Sequence, residues 1–91
     1  MHTLTEIEVV TLARSVRFEH DRMIVTPTDG REVSVPIVWY PRLAQATPEQ
    51  RTHWQLIGDG EGIHWPEVDE DLPTAGILLG LRPPASLSPK S

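Results

Sequence analysis

The chain has 91 residues, which suits one small domain, and a formal net charge of −5. It contains no cysteine, which excludes disulfides, thiolate catalysis and cysteine-ligated zinc. Its first residues lack the basic start and apolar run of a signal peptide, and no apolar run approaches the ~20 residues that span a membrane, so we expect a cytoplasmic protein.

The charged residues are distributed unevenly along the chain. Residues 1–51 hold six basic and seven acidic side chains, whereas residues 52–91 hold two basic and six acidic ones. No lysine or arginine lies between Arg51 and Arg82. A surface of this sign repels phosphate backbones and attracts basic partners, so we expect no direct binding of nucleic acid.

Alternating apolar and polar residues predict strands in the N-terminal part of the chain. Residues 6–13 and 16–19 each alternate in this way and are rich in β-branched or aromatic residues. The next two alternating runs flank Asp29-Gly30 and predict an antiparallel hairpin. The residues expected on the inner face of this sheet are Val16, Phe18, Met23, Val25, Val33, Val35 and Ile37.

Two helix starts follow the predicted hairpin. Pro41 suits the first position of a helix because its φ is fixed. Thr47 and Gln50 have the spacing of a capping box around Pro48, which predicts a second helix over residues 48–54. The helices are expected to cover the sheet, with the nearby Trp39 and Trp54 in the core.

A glycine-spaced segment predicts a second hairpin. Gly58, Gly60 and Gly62 permit positive φ around a tight turn, so residues 54–58 and 62–65 are predicted to pair. Pro66 ends the pairing because proline has no N–H to donate. The exit from this hairpin, residues 67–71, is acidic around Val68, which is expected to pin it to the core.

The remaining residues predict a short last helix and a tail. Residues 72–80 favour a helix that stops at Gly80, with Ile77 and Leu78 facing inward. Residues 81–91 are rich in proline and serine and are predicted to be disordered. The expected fold is therefore a single α+β domain over residues 1–80, made of an N-terminal antiparallel sheet, two short helices, a glycine-rich hairpin and a C-terminal helix.

Six carboxylates in the second hairpin and its exit are the strongest candidates for a site. They could form a solvated turn, a divalent-cation site or a face that binds a protein. Their spacing does not match the calcium loop of an EF-hand. The six residues are Asp59, Glu61, Glu67, Asp69, Glu70 and Asp71.

Two histidines flank the same hairpin. His53 and His64, together with Asp69, could form a metal site with two imidazoles and one carboxylate. His64 could alternatively act as an acid or base with Glu61 or Asp71, although no nucleophile accompanies it. A packed or hydrogen-bonded histidine is the simpler interpretation of both.

Four aromatic residues could in principle stack single-stranded nucleic acid, but no positively charged groove accompanies them. Packing in the core is therefore favoured for Trp39 and Trp54. Trp65 stands beside Pro66 at the end of a predicted strand, and an exposed tryptophan there would anchor an interface. The four residues are Trp39, Tyr40, Trp54 and Trp65.

Several strings of residues together resemble a known bacterial family. They are Asp29-Gly30-Arg31, Val35-Pro36, Trp39-Tyr40-Pro41-Arg42-Leu43, Arg51, Trp54, Ile57-Gly58-Asp59-Gly60-Glu61-Gly62-Ile63-His64-Trp65-Pro66 and Asp69-Glu70-Asp71. The stretch from Val16 to Gly80 resembles domain-of-unknown-function family 2442. The resemblance implies a small α+β fold and brings no established activity.

The resemblance also suggests partners. Some relatives resemble the small partner in pairs similar to toxin–antitoxin systems, and others carry a helix-turn-helix domain after this one. Only a proline-rich segment follows Gly80 here. Relatives have a serine cap at the last helix, which this chain lacks, so Thr74 is expected to replace it.

The leading hypothesis is a non-enzymatic interaction domain without a cofactor. It would be the antitoxin-like or regulatory partner of a short basic protein, bound through the acidic hairpin face from Asp59 to Asp71 together with Trp65. The alternative is a metal-binding or metal-sensing domain that uses His53, His64 and Asp69. An accessory role in nucleic-acid binding, within an oligomer only, is a third hypothesis.

Overall fold

A computed structural model describes residues 12–82, which form an α+β fold of six strands and three short α-helices. No helix in this part of the chain is long and apolar enough to cross a membrane. The strands are β1 (Ala13–Glu19), β2 (Arg22–Pro27), β3 (Val33–Pro36), β4 (Gln55–Ile57), β5 (Gly62–Trp65) and β6 (Glu70–Pro73). The helices are α1 (Pro41–Ala44), α2 (Pro48–Arg51) and α3 (Thr74–Leu78).

The first sheet is antiparallel, with the order β1-β2-β3, as the alternating pattern predicts. Val16 pairs with Val25, and Met23 pairs with Val35, so the apolar side chains share one buried face. Ile37 is buried but lies outside the strand, in a 3-10 helix (Ile37–Trp39). Pairing stops at Pro36 because proline cannot donate to the ladder.

The two helix starts are confirmed. α1 begins at Pro41, and α2 has both halves of the capping box between Thr47 and Gln50. α2 ends at Arg51 and is shorter than predicted. The guanidinium of Arg51 donates to the carbonyls of Leu43 and Ala44, so the end of α2 is tied to the end of α1.

The second sheet contains the predicted hairpin and one strand that the sequence analysis missed. β4 and β5 pair antiparallel, and β6 pairs with the other edge of β5. Leu72, predicted as part of the last helix, lies in β6 opposite Ile63, and both are buried. Burial of Leu72 against Ile63 holds this acidic segment in an extended conformation.

The last helix is shorter than predicted and is capped differently at its start. Pro73 is the N-cap residue, so the prediction that Thr74 caps the helix is wrong. The buried Thr74 hydroxyl instead donates to the carbonyl of Gly60 at 2.6 Å. The predicted stop is confirmed, because Gly80 has φ +73° and the Gly80 and Leu81 N–H groups donate back to Ile77 and Gly76.

The two sheets share one core. The N–H of Ala13 in β1 donates to Gly60 in the β4–β5 turn at 2.8 Å, and α3 contacts β3, β5 and β6. Trp39 and Trp54 are partly buried and pack against this core, as does Val68. The buried core residues are Ala13, Val16, Met23, Val25, Val35, Ile37, Tyr40, Leu43, Ile63, Trp65, Leu72 and Ile77.

Two predictions lie partly outside the described residues. They are the strand expected over residues 6–13, of which residues 6–11 are not described, and the disordered tail expected over residues 81–91, of which residues 83–91 are not described.

Candidate functional site

The acidic residues form two groups at opposite ends of β5. The turn acids, Asp59 and Glu61, lie in the loop before β5, and the exit acids, Glu67, Asp69 and Asp71, lie after it in the β5–β6 loop and β6. All five are exposed. Since β5 is four residues long, its ends are roughly 10 Å apart. The single acidic face expected from the sequence is therefore divided.

The turn acids are displayed by a tight loop. The carbonyl of Ile57 accepts hydrogen bonds from the N–H groups of Gly60 and Glu61, at 3.1 and 3.0 Å. Gly58 and Gly60 have φ of +60° and +107°, which side-chain-bearing residues adopt only with strain. The glycine spacing read from the sequence thus produces the predicted turn.

The loop that carries the exit acids is fixed by Arg42 and has a positive φ at Asp69. Asp69 has φ +57°, and its side chain is 95% exposed. The guanidinium of Arg42 donates to the backbone carbonyl of Asp69 and lies 3.9 Å from its carboxylate. Arg42 therefore fixes the loop and leaves the Asp69 carboxylate largely available to a partner.

Each histidine contacts a different carboxylate. Nδ1 of His53 contacts Glu67, and Nδ1 of His64 contacts Asp71 on the neighbouring strand. Across residues 12–82 no group of three or more His, Cys, Asp or Glu side chains is placed to hold a metal ion. The structure does not bring His53, His64 and Asp69 together in such a group, so it gives no support to the predicted metal site.

The histidine–carboxylate pairs also bear on acid–base chemistry. His64 pairs with Asp71 and not with Glu61. Within residues 12–82 neither imidazole hydrogen-bonds a hydroxyl group that could serve as a nucleophile. Both pairs are exposed and link neighbouring segments around β5, which is a structural role.

Trp65 is fully buried, so the surface anchor expected from the sequence is not formed. Its indole N–H donates to the carbonyl of Arg51 at 3.1 Å, and its ring packs edge-to-face on Phe18 with 6.3 Å between centroids. Tyr40 is also buried. These aromatic residues contribute to the core and do not form a stacking platform.

Glu70 differs from the other acids because it is half-buried. Burial raises the pKa of Glu70 above its ordinary value of 4.5, and Asp71 and Asp69 act in the same direction, while Arg42 opposes them. Burial also raises the pKa of Tyr40, and the negative charge of Glu70 adds to this effect. Glu70 therefore belongs to the margin of the core and not to the candidate surface.

An exposed apolar strand, which the sequence patterns did not predict, lies between the two acidic groups. All three residues of β4 are exposed, including Leu56 at 37% and Ile57 at 43%. β4 is an edge strand of its sheet. The available signal was a strand sequence, Gln55-Leu56-Ile57, that carries no charge and directly precedes the segment with the turn acids.

The comparisons with known proteins agree with this architecture. The sequence model of a family described as "Protein of unknown function (DUF2442)" matches residues 13–83. The chain belongs to this family. The DUF2442 match covers both sheets and all three helices, and it confirms the resemblance carried by the sequence strings.

Two solved structures share the DUF2442 chain's fold. A protein of unknown function from Rhodospirillum rubrum is 25% identical, with a TM-score of 0.70 over 86% of this chain and 96% of that one. An uncharacterised protein from Chromobacterium violaceum is also 25% identical, with a TM-score of 0.68 over 82% of this chain and 71% of that one. No curated protein matches the chain.

Proposed function

We propose that this DUF2442 chain is a non-enzymatic interaction domain that binds a basic protein through the turn acids and the exit acids. The partner would be a short basic protein, in an antitoxin-like or regulatory pair. One observation carries the proposal. Five carboxylates are exposed around the second sheet, in a stretch from residue 52 to residue 81 that contains no lysine or arginine.

The local charge balance supports a partner of opposite sign. In the first sheet the carboxylates have cations of their own, since Arg17 binds Glu19 and Glu32. In the second sheet Arg42 is the arginine that approaches an exit acid, and it contacts the backbone more closely than the carboxylate. Glu67 and Asp71 contact histidine imidazoles. Within residues 12–82 no lysine or arginine forms an ion pair with Asp59 or Glu61. Carboxylates without such a partner attract basic proteins, and this attraction weakens as salt rises.

The conformation of the exit acids also supports the proposal. A non-glycine residue at positive φ is strained, by roughly 1–3 kcal/mol, and persists only where surrounding contacts enforce it. Arg42 supplies such a contact at Asp69. Binding would therefore not require the loop to be ordered first, which favours affinity.

Affinity capture from a lysate of the source organism tests the proposal. The wild-type chain is compared with the double variant Asp69→Lys, Asp71→Lys, which reverses charge in the exit acids. We expect the wild type to retain a protein rich in lysine and arginine, and the variant to lose it. Retention is expected to fall as salt is raised.

A matched control reverses one charge in the other sheet. Asp21 is exposed and lies in the β1–β2 turn, so Asp21→Lys reverses a charge away from the acidic groups. It takes the net charge from −5 to −3, which is half the change made by the double variant. This control is expected to retain the basic protein. Capture of the same proteins by the wild type and the double variant would contradict the proposal.

A further inference from the structure

β4 has no strand partner on one side within residues 12–82. The second sheet has the order β4-β5-β6, so one edge of β4 carries unpaired backbone groups. Such an edge is a template for another strand, and proteins usually protect it with charges, prolines, bulges or covering segments. β4 has neither a charged residue nor a proline.

The other three sheet edges carry the protection that β4 lacks. β1 carries Arg14, Arg17 and Glu19 and has an irregular register near its start. β3 ends in Pro36 and is contacted by α3. β6 carries two carboxylates and ends in Pro73. Among the described edges β4 is thus the one suited to accept a strand.

The hydrogen bonds of the turn show which backbone groups are available. The carbonyl of Ile57 points toward the turn, where it accepts from Gly60 and Glu61. Since successive residues of a strand direct their backbone groups to opposite sides, the N–H and carbonyl of Leu56 point away from β5. Leu56 can therefore pair with an incoming strand without the loss of any ladder bond.

Carboxylates lie at both ends of this edge. The turn acids follow β4 directly after Gly58. At the other end, Glu67 contacts His53, two residues before β4 begins. An extended segment along β4 would pass a carboxylate at each end, which suits lysine or arginine flanking an apolar centre. A second copy of this chain, with its own net charge of −5, suits the edge poorly.

We propose that β4 accepts an extended, basic segment of the partner as a fourth strand of the second sheet. Main-chain hydrogen bonds to Leu56 supply the pairing, apolar side chains of the segment cover Leu56 and Ile57, and its basic side chains meet the turn acids and Glu67. This inference rests on the proposed function and specifies how the basic partner is held.

The probe is a short capped peptide in which lysine alternates with valine, added to the full chain while amide hydrogen exchange is followed by NMR. In the free protein the Leu56 amide is expected to exchange fast and the Ile57 amide slowly. Peptide at about ten times its Kd is expected to slow exchange at Leu56 by about tenfold. The Ile57 amide serves as the internal control, since its exchange should change little.

A second peptide separates strand pairing from attraction between charges. It has the same sequence but is methylated at its central backbone nitrogens, which removes the donors and keeps the charge. We expect it to lose binding. Equal binding of the two peptides would overturn strand addition while leaving the proposed function intact, and no binding of the parent peptide would also overturn strand addition.

Two variants of the protein test the same point. Leu56→Pro removes the outward N–H and is expected to abolish peptide binding, whereas Leu56→Ala keeps the N–H and is expected to retain most of the binding. Slow exchange of the Leu56 amide in the free protein, whether caused by residues 1–11 or by a second copy, would overturn the proposal. Failure of the affinity capture as well would show that the proposed function is wrong too.

Discussion

Gly60 is the residue at which the two sheets meet. Its carbonyl accepts from Ala13 N–H and from the Thr74 hydroxyl, and its own φ is +107°. A Cβ at this position would lie 2.2 Å from the carbonyl oxygen of Ala13, which is backbone and cannot rotate away. Gly60 therefore permits both the turn and the contact between sheets.

We expect Gly60→Ala to destabilise the protein by about 3 kcal/mol or more, since it combines backbone strain with loss of buried hydrogen bonds. The measurement is urea unfolding followed by tryptophan fluorescence. Gly30→Ala is the control, because Gly30 also has positive φ, at +91°, but has open space around it. Gly30→Ala is expected to lower the free energy of unfolding by only about 1–2 kcal/mol. Equal losses would mean that the contact with Ala13 contributes nothing.

Glu70 gives the protein a pH dependence whose sign follows from its raised pKa. The folded chain binds the proton of Glu70 more readily than the unfolded chain does. The stability contributed by Glu70 is therefore complete below about pH 4.5 and is lost as pH rises through the raised folded pKa. The glutamine side chain of Glu70→Gln is uncharged at every pH, so it does not contribute this pH dependence.

We expect Glu70→Gln to be more stable than the wild type at neutral pH and equal to it at low pH. Urea unfolding of both proteins across the pH range measures the difference. Glu32→Gln is expected to be less stable than the wild type at neutral pH and equal to it at low pH. The reason is that the hydrogen bond from Arg17 lowers the pKa of Glu32 and stabilises its charged form. A difference between wild type and Glu70→Gln that does not change with pH would be inconsistent with this account.

At the scale of the element, local rules identified most of the structure. The capping box at Thr47 and the glycine turn at residues 58–61 depend on residues close in sequence, so their patterns could be read directly. β6 could not be read in this way. Its residues include two acids and a proline, and its strand conformation depends on pairing with β5.

The capping box gives a direct test at this scale. Thr47→Ala removes the hydroxyl that accepts from the Gln50 N–H at 3.0 Å. We expect a loss of about 1 kcal/mol in the free energy of unfolding. Thr47→Ser keeps the acceptor and should lose much less. Equal effects of the two variants would show that the hydroxyl does not stabilise α2.

At the scale of the whole molecule, the candidate site depends on contacts that are distant in sequence. Trp65 is buried because Phe18 of the first sheet and the carbonyl of Arg51 surround it. The two acidic groups are separated because β5 runs between them. Sequence patterns identified the acids and the aromatic residues, but which of them reach the surface together was determined by tertiary packing.

The same packing explains why an interaction role fits the molecule. The two His–carboxylate pairs and Arg42 link the segments around β5 to one another. The second sheet then presents an uncharged strand edge between exposed carboxylates. Within residues 12–82, this combination of an unpaired strand edge and local negative charge is what supports the proposed interaction.

The most direct measurement is the mapping of the captured basic protein on the isotope-labelled chain by NMR amide shifts. Saturable shifts are expected to cluster at residues 55–61 and 67–71 and to weaken in the double variant Asp69→Lys, Asp71→Lys. Shifts that cluster instead on β1, β2 and β3, and persist unchanged in the double variant, would contradict the proposed interaction.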